Sequence, residues 1–229
     1  MKKHVIGLTG FAGVGKDTVA DLLVAHFGFR KLAFADALRG EVAEAFGIDI
    51  GFLSNPHTKH HPLSALAMRR APSAFLAAVC FAGGEGTDRG GVDHHWLDQP
   101  RTPRQILQWW GTEYRRSQHP HYWSRIMLQR LVDYMRDGAM RLVITDCRFQ
   151  NEADTVRTVG GLLWQVKRPG IDAASTTEGA HVSATDGAVF KPDTVITNNH
   201  AQEHLQGVVL SEFVALETGV RGAKVTVPT

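Results

Sequence analysis

The stretch VIGLTGFAGVGKDT, residues 5–18, decides the fold of this chain. Its first residues are apolar, its middle is rich in glycine, and an amphipathic run from Thr18 to Phe27 follows it. This order predicts a buried strand, a tight turn and a helix. Gly10, Gly15 and Lys16 fit the spacing of a phosphate-binding loop, in which four residues separate the first glycine from a Gly-Lys pair.

Each part of this predicted loop suits a polyphosphate ligand. Glycines allow backbone N–H groups to converge on phosphate oxygens. The helix that starts near Lys16 directs its unpaired N–H groups and its positive dipole end at the same anion, and the lysine adds a full charge. Asp17 stands where a Ser or Thr hydroxyl usually contacts magnesium, so it occupies the expected metal position, and Thr18 follows it. The alternative is an ordinary glycine-rich turn between a strand and a helix.

The composition is that of a soluble globular protein with one sizeable core. The chain has 229 residues, of which 43% are hydrophobic and 21% are charged. A net charge of +2 gives no sign of a nucleic-acid partner. Cys80 and Cys147 lie far apart without metal-like spacing, which favours a reducing compartment. Since no apolar run is long enough for a membrane span and the first residues do not resemble a signal peptide, we expect a cytoplasmic protein without a membrane partner.

Strands and helices alternate along most of the chain, which predicts a mostly parallel sheet covered on both faces, a three-layer α/β/α fold. The predicted strands are His4–Thr9, Phe29–Phe34, Leu142–Asp146, Leu162–Lys167 and Thr194–Thr197, and the predicted helices are Lys16–Phe27, Ala37–Phe46, Pro103–Ser117, Tyr122–Arg136, Asn151–Val159 and Gln202–Leu216. Residues 48–100 break this rhythm, and their prolines, histidines and glycine-rich run (residues 83–91) predict an inserted excursion with a mobile loop. Residues 170–192 are typical of a second loop excursion, and residues 219–229 of a loosely attached tail.

A second chemical cluster is RLVITDCRFQNEAD, residues 141–154. An apolar strand ends there in Asp146, and ligands of such folds gather at the carboxyl ends of strands. Asp146 could therefore hold a hydrated magnesium ion or a substrate hydroxyl, and Arg148 could grip a phosphate. Glu152 falls in the first turn of the next helix. The alternatives are a turn role for Asp146, a solvated Arg148, and a Glu152 that only complements the helix dipole.

A third cluster is PRTPRQILQWWGTEYRRSQHPHYW, residues 100–123. Its chemistry-bearing residues are Arg104, Gln108, Gly111, Thr112 and Trp123. Arg104 and Gln108 share one helix face because they are four residues apart. Arginine, glutamine, threonine and tryptophan together could bind a phosphate, the edge of a base and its flat face. The alternative is an ordinary amphipathic helix with a solvated arginine side.

Together these segments resemble the bacteriophage-type deoxynucleoside monophosphate kinases. The resemblance is carried by GFAGVGKDTVAD, FADALR (residues 34–39), TPRQILQWWGTE, DCRFQNEA and DTVITNN (residues 193–199), which are spread over nearly the whole chain. The GKDT form of the loop is also similar to that family's. The resemblance implies a P-loop kinase that uses ATP and Mg²⁺ to convert a deoxynucleoside monophosphate to its diphosphate. It also makes a homodimer reasonable.

The resemblance further implies roles for individual residues. The ATP phosphates would be held by Gly13, Val14, Gly15, Lys16, Asp17 and Thr18, and the monophosphate site would be lined by Arg104, Gly111, Thr112 and Trp123. The catalytic set would be Lys16, Asp146, Arg148 and Glu152, the last three lying between the two nucleotides. Asp36 and Arg39 could touch the substrate or simply cap their helix. His181 and Ser183 are followed by Ala184, where the family often has a glutamate.

The predicted organisation is a single kinase domain. Its core is residues 1–47 and 141–218, its helical substrate-binding insertion is 48–140, its lid is 168–192 and its tail is 219–229. We expect the lid to exclude water, with Lys167 or Arg168 reaching the phosphates. Two alternatives stay open: a kinase of dephospho-coenzyme A or phosphomevalonate, and a nucleotide-binding regulator without activity. The loop histidines His57, His60, His61, His94 and His95 are read as solvated rather than as metal ligands.

Overall fold

The computed structural model describes residues 2–55, 57–83, 86–88, 91–171, 190–199 and 201–219. Its strands are β1 (His4–Thr9), β2 (Arg30–Leu32), β3 (Thr87–Asp88), β4 (Gly91–Val92), β5 (Arg141–Ile144), β6 (Leu162–Lys167) and β7 (Thr194–Thr197). Its α-helices are α1 (Lys16–Phe27), α2 (Phe34–Phe46), α3 (Ile50–Ser54), α4 (Ser73–Gly83), α5 (His94–Asp98), α6 (Pro103–Gln108), α7 (Tyr122–Arg136), α8 (Gln150–Thr158) and α9 (Gln202–Thr218). A π-helix, Trp109–Arg116, continues α6, and two short 3₁₀ turns cover Ser64–Leu66 and Met68–Arg70.

A five-stranded sheet with the order β2-β5-β1-β6-β7 organises the fold. Every neighbouring pair in it is parallel. The strand β1 lies in the middle, pairing with β5 on one side and β6 on the other. After β1 the chain crosses to β2 at one edge of the sheet, whereas after β6 it continues to β7 at the opposite edge. The strand order therefore reverses at β1, and ligands of such sheets bind at the carboxyl ends of the strands at this point.

Helices cover both faces of this sheet. Side chains alternate along β1, so Ile6 and Leu8 enter one core with residues of α1 and α9. Gly7 faces the other way, where an added Cβ would lie 2.9 Å from both the Cys147 sulfur and a methyl of Val156 in α8. The predicted parallel sheet between two helical layers is therefore confirmed.

The chain divides into two compact units, residues 1–34 with 127–229 and residues 35–126. The first contains the five-stranded sheet. The second is mainly helical, and in it α4 contacts the π-helix through Phe75 and Trp110, whose ring centroids are 4.7 Å apart. A short antiparallel ribbon of β3 and β4 also lies in this unit.

Several predicted elements differ from the structure. The helices α3, α4 and α5 were not predicted; α4 is apolar on all sides, so it shows no helical period. His94 and His95 are exposed as expected, but they begin α5, which Asp93 caps, rather than lying in a loop. The predicted strand at Phe29–Phe34 is shorter because the Phe34 N–H donates to the Asp146 side chain, where α2 begins.

The third cluster also departs from its prediction. The Thr102 side chain caps α6, but the helix changes to π geometry from Trp109 onward. At its end the Ser117 N–H donates to the carbonyl of Thr112, five residues earlier. Such π segments occur often at functional sites.

Several predictions fall partly on residues outside the described ranges. These are most of the lid (172–189, with His181, Ser183 and Ala184), the tail from residue 220, and part of the glycine-rich run. Within the described ranges, none of the helices combines the length and the apolar character that crossing a bilayer demands.

Candidate active site

The turn after β1 has the backbone of a phosphate-binding loop. Gly10, Gly13 and Gly15 have φ values of 132°, 80° and 103°, a region that favours glycine. At Gly10 an added Cβ would also lie 2.3 Å from the carbonyl oxygen of Val166 on β6. Both conformation and space therefore require glycine where the sequence motif has it.

Lys16 lies at the first position of α1 and folds back over this turn. Its Nζ donates to the carbonyl oxygens of Gly10 at 2.7 Å and Phe11 at 2.8 Å. The helix has Gly15 as its N-cap, without a side-chain cap, so its first backbone N–H groups suit an anion. The Val14 side chain is buried in the core, so Val14 offers a ligand its backbone only.

Asp17, at the predicted metal position, pairs with a lysine instead. Its carboxylate lies 3.0 Å from Nζ of Lys31, which is also 3.0 Å from Asp21. Burial lowers the pKa of Lys31, but the hydrogen bonds and charges of both carboxylates outweigh burial, so its pKa is raised. The Asp17 side chain is otherwise well exposed, and Thr18 beside it is half-buried.

Asp146 follows β5 and so lies at the same edge of the sheet as the phosphate loop, one strand away. It is half-buried, and its Oδ1 accepts the Phe34 N–H at 2.8 Å. Arg148 lies two residues further on with an exposed side chain. Within the described ranges that guanidinium has no hydrogen-bond or ion-pair partner, which leaves its charge available to a ligand.

Glu152 is placed differently from an exposed helix charge. It is 3% exposed, and its Oε2 accepts the N–H groups of Arg148 at 2.7 Å and Phe149 at 3.2 Å. These hydrogen bonds hold the backbone that carries Arg148. Burial, followed by the charges of Glu152 and Asp146, raises the pKa of the neighbouring Cys147 thiol well above its usual value.

Apart from Arg148, the predicted substrate residues lie in the second unit. Arg104 and Gln108 are half-buried on α6, while Gly111 and Thr112 lie on the π-helix. Trp123 is 4% exposed and its Nε1 donates to the carbonyl of Gly111 at 3.2 Å, so the indole is a packing element of this region.

Asp36 and Arg39 pair with each other at the start of α2. Their Oδ1 and Nη1 atoms are 3.2 Å apart, and both side chains are partly exposed. Among the predicted substrate residues, the structure thus places Trp123 in contact with Gly111 and Asp36 in contact with Arg39.

A cluster around Glu41 was not predicted. Its carboxylate accepts hydrogen bonds from Trp110 Nε1 and Arg115 Nε, each at 2.8 Å, and from the Tyr122 hydroxyl. Burial and the hydrogen bond to Glu41 raise the pKa of Tyr122 to about 12. The Arg115 guanidinium also stacks on the Tyr114 ring at 4.6 Å. Glu41 follows the FADALR segment, and Trp110 and Arg115 lie within residues 101–116. No sequence pattern indicates that these side chains pair with one another.

Asn198 was also not predicted as a site residue. It follows β7, and its Nδ2 donates to the carbonyl oxygen of Val14 in the phosphate loop at 2.8 Å. Its only sequence signal is its place in the DTVITNN segment.

Comparisons with known proteins point to one family. The family model described as deoxynucleotide monophosphate kinase matches residues 96–209. A protein of Acanthamoeba polyphaga mimivirus, provisionally described as a deoxynucleotide monophosphate kinase, is 29% identical over 90% of this chain and 94% of its own length. The deoxynucleotide monophosphate kinase of Enterobacteria phage T4 is 21% identical over 88% of this chain and 95% of its own length.

Among solved structures, that of TT1252 from Thermus thermophilus is 16% identical with a TM-score of 0.48, over 94% of this chain and 98% of that one. A similarity at that level has no bearing on function. The family match covers the segments that contain Trp123 and Arg148, and the similarity to both relatives extends over about nine-tenths of this chain. By these matches the chain belongs to the deoxynucleotide monophosphate kinase family.

Proposed function

We propose that this protein transfers the γ-phosphoryl group of ATP to a deoxynucleoside 5′-monophosphate and so produces the diphosphate. The observation that carries the proposal is the turn after β1, with three positive-φ glycines and Lys16 at the N-terminus of α1, in a chain of this family. This is the geometry that binds a polyphosphate through backbone N–H groups and one lysine.

The reaction needs little general-base help, because a monophosphate is already an anionic nucleophile. The enzyme must hold two polyanions in line and neutralise the charge of the moving phosphoryl group. In our proposal Lys16 exchanges its hydrogen bonds with the loop carbonyls for the β- and γ-phosphates. The exposed guanidinium of Arg148 neutralises the phosphoryl group, and Glu152 fixes the backbone behind Arg148.

Magnesium fits the oxygen donors of this site. Asp146 offers a half-buried carboxylate at the strand edge beside the loop. Mg²⁺ is commonly held by one or two carboxylates together with phosphates and water, so this carboxylate and the ATP phosphates would be enough to hold it. Bound there, Mg²⁺ would withdraw charge from the phosphates. Asp17, already paired with Lys31, is the second candidate ligand.

We assign the roles of the substrate residues from the chemistry of their side chains. Arg104 suits the monophosphate, while Gln108 and Thr112 suit polar edges of a base or sugar. Gly111 and Trp123 shape the backbone of the π-helix. We also propose that Asp36 and Arg39 orient the nucleotide, and that the protein works in the cytoplasm, where its two free, buried cysteines would stay reduced.

The test is ADP release from ATP in a coupled assay, with a panel of deoxynucleoside monophosphates, dephospho-coenzyme A and phosphomevalonate. We expect at least one deoxynucleotide to stimulate ADP release strongly and the other two acceptors to give only the background rate. Stimulation by dephospho-coenzyme A or phosphomevalonate alone, or by no acceptor at all, would contradict the proposal.

A further inference from the structure

Asn198, which follows the edge strand β7, connects the sheet to the phosphate loop through a hydrogen bond. Its backbone N–H donates to the carbonyl of Lys167 at 2.7 Å, which anchors it to β6 just after β7 ends. Its side-chain Nδ2 donates to the carbonyl oxygen of Val14 at 2.8 Å. The side chain is therefore held at one end by the sheet and at the other by the loop.

This hydrogen bond sets the direction of the next peptide N–H group. In a trans peptide the carbonyl of one residue and the N–H of the following residue point in opposite directions, and the described residues contain no cis peptide. Because the Val14 carbonyl points at Asn198, the Gly15 N–H must point away from Asn198.

The space around Gly15 agrees with this arrangement. An added Cβ there would lie 2.6 Å from Asn198 Nδ2, and Gly15 also has a φ of 103°. Glycine at this position thus serves the turn and makes room for the asparagine.

We infer that Asn198 is a positioning residue for ATP: by holding the Val14 carbonyl, it aims the Gly15 N–H at a phosphate oxygen of the bound nucleotide. The inference rests on the proposed function, since the phosphate loop must bind ATP. Asparagine suits the task because its amide is a neutral donor. An aspartate of the same shape would set a carboxylate against the Val14 carbonyl and add negative charge near the phosphates.

The experiment compares Asn198→Asp and Asn198→Ala with Asn199→Asp, which adds the same charge at an exposed neighbouring position. For each variant and the wild type we would measure KM for ATP, KM for the accepted deoxynucleotide, and the thermal midpoint with and without a non-hydrolysable ATP analogue. We expect both Asn198 variants to raise KM for ATP about 10- to 100-fold, as for loss of one hydrogen bond to a charged group, with the larger effect for aspartate. KM for the deoxynucleotide and all values for Asn199→Asp should change less than about 3-fold.

The outcomes separate this inference from the proposed function. Variants at Asn198 that keep a wild-type KM for ATP and a wild-type analogue shift overturn the inference, even if their midpoints without ligand fall, because that pattern means a structural role only. If Asn198→Asp does not fold, the alanine variant decides by the same criteria. A wild-type protein that transfers phosphate to none of the acceptors would instead overturn the proposed function.

Discussion

Arg148 is the cation of the site that no described residue neutralises. Its side chain is exposed and only its backbone is held, through Glu152. We expect Arg148→Ala to lower kcat by about 100-fold or more, because it removes a charge that acts on the moving phosphoryl group. The thermal midpoint should stay the same, since among the described residues the exposed Arg148 side chain has no hydrogen-bond or ion-pair partner. The control is Arg136→Ala, another exposed arginine; near-normal turnover in Arg148→Ala would remove Arg148 from the catalytic set.

Tyr122 should titrate later than an ordinary tyrosine. Burial and its hydrogen bond to Glu41 raise its pKa to about 12. Because the folded state holds this proton more tightly than the unfolded state, the stabilisation is complete below the unfolded pKa near 10 and is lost as pH rises through about 12. The absorbance of the phenolate form measures the ionisation of Tyr122 directly. Of the three tyrosines, Tyr122 should contribute little between about pH 9 and 11, so Tyr122→Phe should leave that part of the titration unchanged. A loss of phenolate absorbance in that pH range in Tyr122→Phe would contradict the raised pKa.

At the scale of elements, Glu41 joins α2 to the π-helix and to the start of α7. Its carboxylate accepts from Trp110, Arg115 and Tyr122. Replacing Glu41 by glutamine removes the negative charge and places an NH₂ donor where a carboxylate oxygen accepts hydrogen bonds. We therefore expect Glu41→Gln to lower the free energy of unfolding by about 1–3 kcal/mol. Denaturant titration with Glu44→Gln as control checks this, since Glu44 is exposed on the same helix. Equal stability of the two variants would show that the cluster contributes nothing.

The elements also show which local signals a sequence carries. The loop and α1 were predicted to the residue because glycine spacing, a lysine and an amphipathic run coincide there. The helix α4 was missed because an apolar stretch without period is equally compatible with a strand or a loop. The π geometry of Trp109–Arg116 depends on which carbonyl each N–H finds, and no residue pattern encodes that choice.

At the scale of the whole molecule, Cys80 and Cys147 report on the two units separately. Both thiols are free and buried, Cys80 among residues 35–126 and Cys147 in the other unit. Burial raises the pKa of each thiol, so few thiolates exist at neutral pH. We expect iodoacetamide to modify neither cysteine in the native protein and both in denaturant, with mass spectrometry assigning each site. Rapid labelling of Cys147 without denaturant would contradict the described core.

The arrangement of the central sheet was therefore predictable from the sequence, and so was the place of some candidate site residues in the chain's elements. Strand and helix alternation predicted the parallel sheet. The glycine-rich loop predicted Lys16 at the start of α1, and the second cluster predicted Asp146 and Arg148 where β5 ends. The partners of these residues were not predictable, because Lys31 at Asp17, Asn198 at Val14 and the donors around Glu41 meet only after folding. Glu152 shows the same limit: its position in the helix was correct, but its burial was not visible.

The most direct measurement of the central claim follows the γ-phosphate itself. ATP labelled on that phosphate is incubated with the protein and a deoxynucleoside monophosphate, and the products are separated by chromatography. We predict that the label appears in the deoxynucleoside diphosphate, and that Lys16→Ala lowers this transfer by about 100-fold or more. Label found only in inorganic phosphate, or left entirely in ATP by the wild-type protein, would contradict the account.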